Sequence, residues 1–326
     1  MEWIGSLFSR LSDGYPVSID SLSMSLGVDR NALLMGVEKI NADHTFISCV
    51  ENCLTLCRVT ESIDSEKIWA HSVDLKSDYV IDVVDETGST NQDLMACAPT
   101  INASKKRVLI AEKQNAGRGT KGRSWISIPG GSITFSIAYT LDRETTSLNI
   151  SPLSLVAGLA VIHALKELGS RNITLKWPND LMYRDSKIGG ILVEANRKSD
   201  RVGVVIGIGL NVHLPQLLMD VLDQPVADLQ SSGMSLDRNL IIAKILIKVD
   251  GMVSSFLAHG FSRFRGEYDA VHRFQDCLIH LRVPDNELIS GKVAGVGDSG
   301  ELILDVAGTK RAFLSGEVQI QRIEGS

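Results

Sequence analysis

Lys176 to Glu194 reads KWPNDLMYRDSKIGGILVE, and its two halves dictate different local structures. Pro178 fixes its own φ and pushes Trp177 toward an extended backbone. Asn179 and Asp180 favour a turn, because their short side chains bond nearby backbone groups. Ile188 to Glu194 is a glycine-started apolar run of the kind that lies buried in a sheet. Lys187 stands at its entrance. A lysine there, facing a turn that carries Lys176, Asn179 and Asp180, is a candidate anion and nucleotide site. The same residues also suit a solvated hairpin with an ordinary lysine.

A second stretch, Ala111 to Trp125, reads AEKQNAGRGTKGRSW and follows the apolar strand residues Val108, Leu109 and Ile110. It holds three glycines, two arginines and two lysines. Glycines let the backbone approach a ligand, and the cations neutralise phosphate or carboxylate. No Gly-Lys-Ser/Thr ends it, so it is not a P-loop. Gly117-Arg118-Gly119 lacks the third glycine of a dinucleotide fingerprint. Alone, it also suits a flexible basic loop.

Taken together, KWPND, a lysine with GGILVE, the preceding GRG-x-x-GR-x-W and the earlier Ser89-Thr90-Asn91 resemble the biotin protein ligases, in the order and spacing of the bifunctional kind that also represses the biotin operon. The resemblance covers nearly the whole chain. It is dense from about Ser89 to His213, moderate over the last fifty or so residues and weak over the first eighty. It implies an α+β fold in three parts: a winged helix-turn-helix over residues 1–65, a mixed-sheet catalytic domain over 66–270 and an SH3-like small β-barrel over 271–326.

Composition agrees with a multi-domain globular chain. At 326 residues, 44% hydrophobic and 22% charged, it has material for a large core. The net charge of −6 argues against non-specific nucleic-acid binding by the whole molecule. No apolar run has membrane-spanning length and the start lacks a signal-peptide pattern, so a cytoplasmic location is expected. Cys49, Cys53 and Cys57 are spaced by four, which suggests one face of a strand or helix. Reduced structural thiols are the expected reading, and no metal site is expected.

Along the chain, Trp3 to Leu11 has helical apolar spacing. Ser18 caps a second helix carrying Ile19, Leu22 and Leu26; Gly27 makes a turn; Asp29 caps a third helix from about Arg30 to Ile40. Phe46–Val50 and Leu54–Arg58 suit the hairpin of a winged domain. The helix expected to face DNA offers Arg30, Asn31, Lys39 and Asn41. Residues 1–60 hold four basic and seven acidic side chains, a balance of −3 that handicaps phosphate contact. A small helical domain without DNA contact is the competing reading.

A polar connector with a short helix is expected over 60–78. Strands follow at Tyr79–Val84, Ile133–Leu141, Ile173–Trp177 and Val202–Val212, with helices opening at Ser89-Thr90-Asn91, over Ser151–Leu168 and over Leu236–His259. The glycines of Val202–Val212 permit close backbone approach or a bulge. In the family a strand in this region helps pair two subunits, so a homodimer is expected. Phe261 to Phe264 is expected to end the domain. Five short strands then follow: Leu278–Val283, Leu288–Val296, Glu301–Val306, Lys310–Leu314 and Val318–Arg322. Turns fall at Pro284-Asp285-Asn286 and Gly297 to Gly300.

The resemblance implies two steps. Biotin carboxylate attacks the α-phosphate of ATP, with Mg²⁺, giving biotinyl-AMP and pyrophosphate; a lysine of a biotin carboxyl carrier domain then takes the biotinyl group. Two anions must meet, so cations must offset their repulsion. Lys187 and Arg118 are the expected catalytic pair. Arg123, Lys176, Asn179, Asp180 and Asn211 are expected on the nucleotide. Ser89, Thr90, Asn91 and Gln114 offer neutral partners to the ureido ring, with Gly119 and Thr120 extending the loop. Thr120 stands where several relatives carry arginine, which weakens the cationic hold on an adenylate. Lipoate or octanoate ligases, and a mainly DNA-binding, ligand-sensing regulator, remain the alternative readings.

Overall fold

The computed structural model describes residues 3–11, 15–42, 44–57, 60–97, 105–142, 149–198, 201–222, 224–234, 237–284 and 286–319. Helix α1 (Trp3–Leu11) buries Ile4, Leu7, Phe8 and Leu11 along one stripe. The short strand β1 (Val17–Ser18) leads into α2 (Ile19–Leu26), where the Ser18 side chain accepts from Ser21 N at 3.1 Å. Gly27 ends α2 with φ +66°, a left-handed conformation that glycine adopts without Cβ strain. Asp29 then caps α3 (Arg30–Ile40) by accepting from Asn31 N and Ala32 N, each at 2.9 Å. A hairpin of β2 (Ile47–Val50) and β3 (Cys53–Leu56) completes a sheet ordered β1-β3-β2.

Two expectations need correction here. Cys49 lies on β2, Cys53 on β3 and Cys57 beyond it, so the intervening turn breaks the single face that a spacing of four suggested. Arg58, the expected end of the second hairpin strand, lies outside the described residues.

The connector is bound to the body of the protein. Helix α4 (Ser65–Ala70) buries Ile68 and Trp69. Thr60 Oγ1 donates to Gly130 O at 2.8 Å, and Asn239 Oδ1 accepts from Asp64 N at 2.8 Å. The fully buried Arg238 grips Glu112 through two contacts of 2.7 and 2.9 Å and donates to Glu61 O at 2.7 Å.

The central unit is α+β. Its elements are β4 (Tyr79–Thr87), α5 (Thr90–Cys97), β5 (Lys106–Gln114), β6 (Ser132–Asp142), α6 (Leu153–Glu167), β7 (Ile173–Lys176), β8 (Asp180–Tyr183), β9 (Ser186–Lys198), β10 (Arg201–Asn211), α7 (Gln216–Val221), α8 (Arg238–His259) and α9 (Arg265–Val271). The strands form one seven-stranded mixed sheet ordered β4-β5-β6-β10-β9-β8-β7, parallel only between β4 and β5. Helix α6 is apolar on nearly every side because it packs against both the sheet and α8. Helix α5 covers the opposite face, with its Leu94 clustered against Ala138 of β6 and Val205 of β10.

Strand β9 is longer than the apolar run Ile188–Glu194 and already contains Lys187. Strand β10 is hydrogen-bonded on both sides, to β6 and β9. It therefore has no free backbone edge with which to pair a second subunit. Helix α9 follows directly after Phe264, unannounced because its seven residues carry little periodic signal.

The C-terminal strands β11 (Leu278–Arg282), β12 (Leu288–Val296), β13 (Leu302–Val306), β14 (Thr309–Phe313) and β15 (Glu317–Gln319) form an antiparallel sheet ordered β14-β13-β12-β11-β15. β12 alternates exposed and buried residues along its length, the period of a one-sided sheet. This sheet shares one apolar core with the central unit. Trp177, 2% exposed, donates from Nε1 to Gly300 O at 2.9 Å, and its bond to Pro178 is cis. Leu236, Asp285 and residues 320–322, named in the expected elements, lie outside the described residues. Among the described residues no helix is long and apolar enough to cross a membrane.

Candidate functional site

A strand buried on both faces is normally apolar throughout. β6 and β10 depart from that in step. Ile133, Phe135, Ile137 and Tyr139 of β6 enter the main core, while Ser132, Thr134, Ser136 and Ala138 face the other way. On β10, Val202, Val204, Ile206, Ile208 and Leu210 enter the core, and Gly203, Gly207, Gly209 and Asn211 alternate with them. The small residues make room. A cavity of about 640 Å³ opens on this side, bounded by α5, the loop of residues 117–125, β9 and the approach to α7.

Its floor is a run of neutral hydrogen bonds. Thr90 N donates to Gln114 Oε1 at 2.8 Å, Thr90 Oγ1 lies 2.7 Å from Ser136 Oγ, and Ser136 Oγ donates to Asn91 Oδ1 at 2.6 Å. Asn91 Nδ2 donates to Leu192 O at 3.2 Å and Glu194 Oε2 at 2.9 Å. Asn91 thus has both amide groups engaged inside the protein, so it supports the floor instead of offering a free amide to a ring. Ser89, Thr90, Asn91 and Gln114 all line the cavity. So do Arg118, Gly119 and Thr120 from the glycine-rich loop.

Cations stand on one side. Lys187 Nζ lies 2.5 Å from Asp180 Oδ1, with side chains 18% and 15% exposed. The Lys187 backbone is fixed in turn, donating to Pro225 O at 2.9 Å and accepting from Ala227 N at 3.0 Å. Arg118 Nη2 donates to Glu194 Oε1 at 2.9 Å, and Arg123 borders the cavity. Asn179 Nδ2 donates to Ile191 O at 2.9 Å and Asn211 Nδ2 to Ala227 O at 3.0 Å; both residues line the cavity.

Lys176 and Asp180 do not line it. They face each other in register across the β7–β8 turn, and Asp180 acts on the site through Lys187. Asn179, in the turn between them, is instead tied to β9, donating to Ile191 O and accepting from Ile191 N, each at 2.9 Å. Lys121, beside Thr120, reaches away and donates to Gly316 O at 3.3 Å, tying the loop to the C-terminal sheet.

Several lining residues had no assigned role in the sequence reading. Ser136 and Thr134 were legible only as polar steps in an otherwise buried strand. Glu194 closed the quoted motif without a task. Trp125 packs its ring over Gly209, where a Cβ would lie 2.7 Å from the indole. Ile128, Leu214, Leu218 and Leu222 form an apolar end. Ile128, Leu214 and Leu218 also belong to the core of the amino-terminal helices, and Phe46 and His44 stack edge-on against His213 with centroids 5.1 and 5.3 Å apart. The first unit is therefore packed against the cavity wall.

On that unit, Arg30 is held by Asp20 at 2.8 Å and by Asn52, while Asn31 and Lys39 are exposed. Asn41 is turned inward onto Phe46 and Ile47. Among the described residues, no group of three or more His, Cys, Asp and Glu is arranged to hold a metal.

A mixed sheet with a glycine-lined polar cavity and a basic rim is the arrangement found where the model of the biotin/lipoate A/B protein ligase family matches, over residues 83–211. The chain is 30% identical over 321 residues to the bifunctional ligase/repressor BirA of Salmonella typhimurium, covering 98% of each. It is 32% identical over 243 residues to the biotin–[acetyl-CoA-carboxylase] ligase of Mycobacterium tuberculosis, covering 73% of this chain and 88% of that one. The biotin protein ligase from Aquifex aeolicus in complex with biotin and ATP superimposes with a TM-score of 0.62 at 27% identity, over 74% of this chain and 98% of that one. The chain belongs to the biotin protein ligase family.

Proposed function

We propose that this protein is an ATP-dependent biotin protein ligase that forms biotinyl-5′-AMP and passes biotin to a lysine of a biotin carboxyl carrier domain. The carrying observation is the cavity itself: a neutral hydrogen-bonding floor (Ser89, Thr90, Gln114) lies beside a basic rim (Lys187, Arg118, Arg123) in one enclosure of about 640 Å³. A ureido bicycle with an anionic tail needs that juxtaposition. The relatives named as ligases and the related structure holding biotin and ATP support it.

In the first step a biotin carboxylate oxygen attacks the α-phosphorus, and the bond to pyrophosphate breaks. Lys187 offsets the repulsion between the two anions, and Arg118, Gly119 and Thr120 close over the tail. Arg123, Asn179 and Asn211 border the nucleotide end. Asp180 is already occupied by Lys187, so the donors present suit Mg²⁺ as the counter-ion ATP brings, held by phosphate and water. In the second step the acceptor lysine attacks the mixed anhydride and AMP leaves. No residue of this chain has to serve as a covalent nucleophile. The test is pyrophosphate release with ATP and Mg²⁺ plus biotin, lipoate or octanoate, followed by transfer to a carrier domain. Release with lipoate and none with biotin overturns the assignment.

We read the chain as three units, 1–65, 66–270 and 271–326, the first a winged helix-turn-helix and the last an SH3-like barrel. Capped α2, the Gly27 turn, capped α3 and a hairpin support the first; five short antiparallel strands support the last. A biotin-responsive repressor function rests on that first unit and on full-length similarity to a ligase/repressor. The occupied Arg30 and the acidic balance oppose tight operator binding through Arg30, Asn31 and Lys39. Mobility shift with and without biotin and ATP decides it. Homodimerisation, proposed from the family, must use a surface other than an edge of β10, and sedimentation with and without ligands reads it. The protein is assigned to the cytoplasm.

A further inference from the structure

Glu194 ends the hydrogen-bond run beneath the cavity. Its Oε2 accepts from Asn91 Nδ2 and its Oε1 from Arg118 Nη2, both at 2.9 Å. A carboxylate paired with an arginine only accepts, and so does the Leu192 carbonyl that also meets Asn91 Nδ2. Two acceptor-only partners leave the Asn91 amide one orientation, with Oδ1 toward Ser136. Ser136 then commits its single proton to Asn91 Oδ1, 2.6 Å away. Toward Thr90, Ser136 Oγ has only lone pairs left, so the Thr90 hydroxyl donates to it across 2.7 Å in preference to Gln114 Oε1, which lies farther off at 3.1 Å. Gln114 Oε1 is held by the Thr90 N–H at 2.8 Å. At the cavity surface this leaves a Thr90 Oγ1 lone pair as acceptor and Gln114 Nε2 as donor.

From this geometry we infer that Glu194 is a positioning residue that sets the donor–acceptor polarity of the cavity floor, through Asn91 and Ser136 and without touching the ligand. The floor it enforces suits a ring carrying both a carbonyl acceptor and N–H donors, as a cyclic urea does. The inference rests on the biotin reading of the cavity for the identity of that ring, but the direction of the chain follows from the side chains alone. Space for it comes from β10: a Cβ at Gly207 would collide with Asn91 Oδ1. Because the same carboxylate holds Arg118, floor polarity and loop position are set by one group.

A swap of charge along the pair tests this. Glu194→Gln allows an amide of either orientation opposite Asn91, so only the 3.2 Å contact to the Leu192 carbonyl still favours the original direction. Asn91→Asp brings two carboxylates together. In the double variant the new amide donates to the new carboxylate, whose other oxygen still accepts from Ser136, so the original direction returns, with only the weaker contact to the Leu192 carbonyl lost. With saturating ATP, the KM for biotin in pyrophosphate release is expected to rise about tenfold or more in Asn91→Asp and severalfold in Glu194→Gln. In the double variant it should fall well below that of Asn91→Asp, with kcat changed less than KM throughout. Unfolding midpoints measured without ligand should follow the same cycle. Additive effects in both readouts overturn the inference. Wild-type protein that releases no pyrophosphate with biotin overturns the ligase reading instead, and the ligand-free unfolding cycle still decides the polarity.

Discussion

Lys187 and Asp180 form an ion pair of 2.5 Å between adjacent strands, both side chains largely withdrawn from solvent. The pair holds the ammonium at the cavity edge, where carboxylate and phosphate would approach. Lys187→Ala is expected to slow adenylate formation by roughly a hundredfold or more. It also strands Asp180, so a stability loss of about 1–3 kcal/mol is expected, above the roughly half kcal/mol of a surface lysine. Pyrophosphate release and thermal unfolding on the same variant separate the two effects. A folded variant with unaltered rate assigns the cationic role to Arg118.

Gly207→Ala places a methyl group against Asn91 Oδ1 on the floor of the cavity. The backbone there is a central strand and cannot yield, so the amide must move. Biotin affinity, measured by calorimetry, should fall at least about tenfold, with a stability cost of about 1–3 kcal/mol. Gly203→Ala on the same strand face, away from the cavity lining, provides the comparison.

Arg238 is fully buried and bonded to Glu112, Glu61 and Ser132. Arg238→Met leaves the Glu112 carboxylate without its cation in the interior and should cost about 3–5 kcal/mol. Combining it with Glu112→Leu removes both charges and should recover much of that loss. Urea denaturation of the two single variants and the pair measures the difference.

His272 is buried, its ring stacked on Tyr268 with centroids 5.6 Å apart, and among the described residues neither ring nitrogen has a hydrogen-bond partner. Burial lowers its pKa to about 4 from the usual 6.5. Between those values the unfolded chain binds the proton and the folded one does not, so this group's contribution to stability is complete above about pH 6.5 and is lost as pH falls toward 4. The loss amounts to about 1.4 kcal/mol per pH unit within the window. His272→Phe should flatten that slope relative to wild type. Parallel slopes for the two proteins between pH 4 and 6.5 would remove His272 as the cause.

Local signals in the chain were enough for much of the fold and part of the site. Ser18, Gly27 and Asp29 placed the two helices they delimit, because caps and left-handed turns are properties of a few adjacent residues. The glycine-rich loop and Lys187 could be picked out as candidate anion-binding chemistry from residue type and spacing, and both border the cavity. Ser136 was not, since a lone serine in a strand has meaning only when its neighbours across the sheet are known.

The sequence by itself therefore determined the succession of elements, the family pattern and the stock of cations and neutral polar groups. Tertiary structure decided which of them meet. It set Lys176 and Asp180 outside the cavity while bringing Glu194 to Arg118 across 76 positions of chain. It closed both edges of β10 and turned Asn41 inward. It also set the amino-terminal core against Leu214 and Leu218 of the cavity wall. The physical reason is range: capping and turn preferences act over a few residues, whereas strand order and side-chain hydrogen bonding depend on burial shared between segments far apart in the chain.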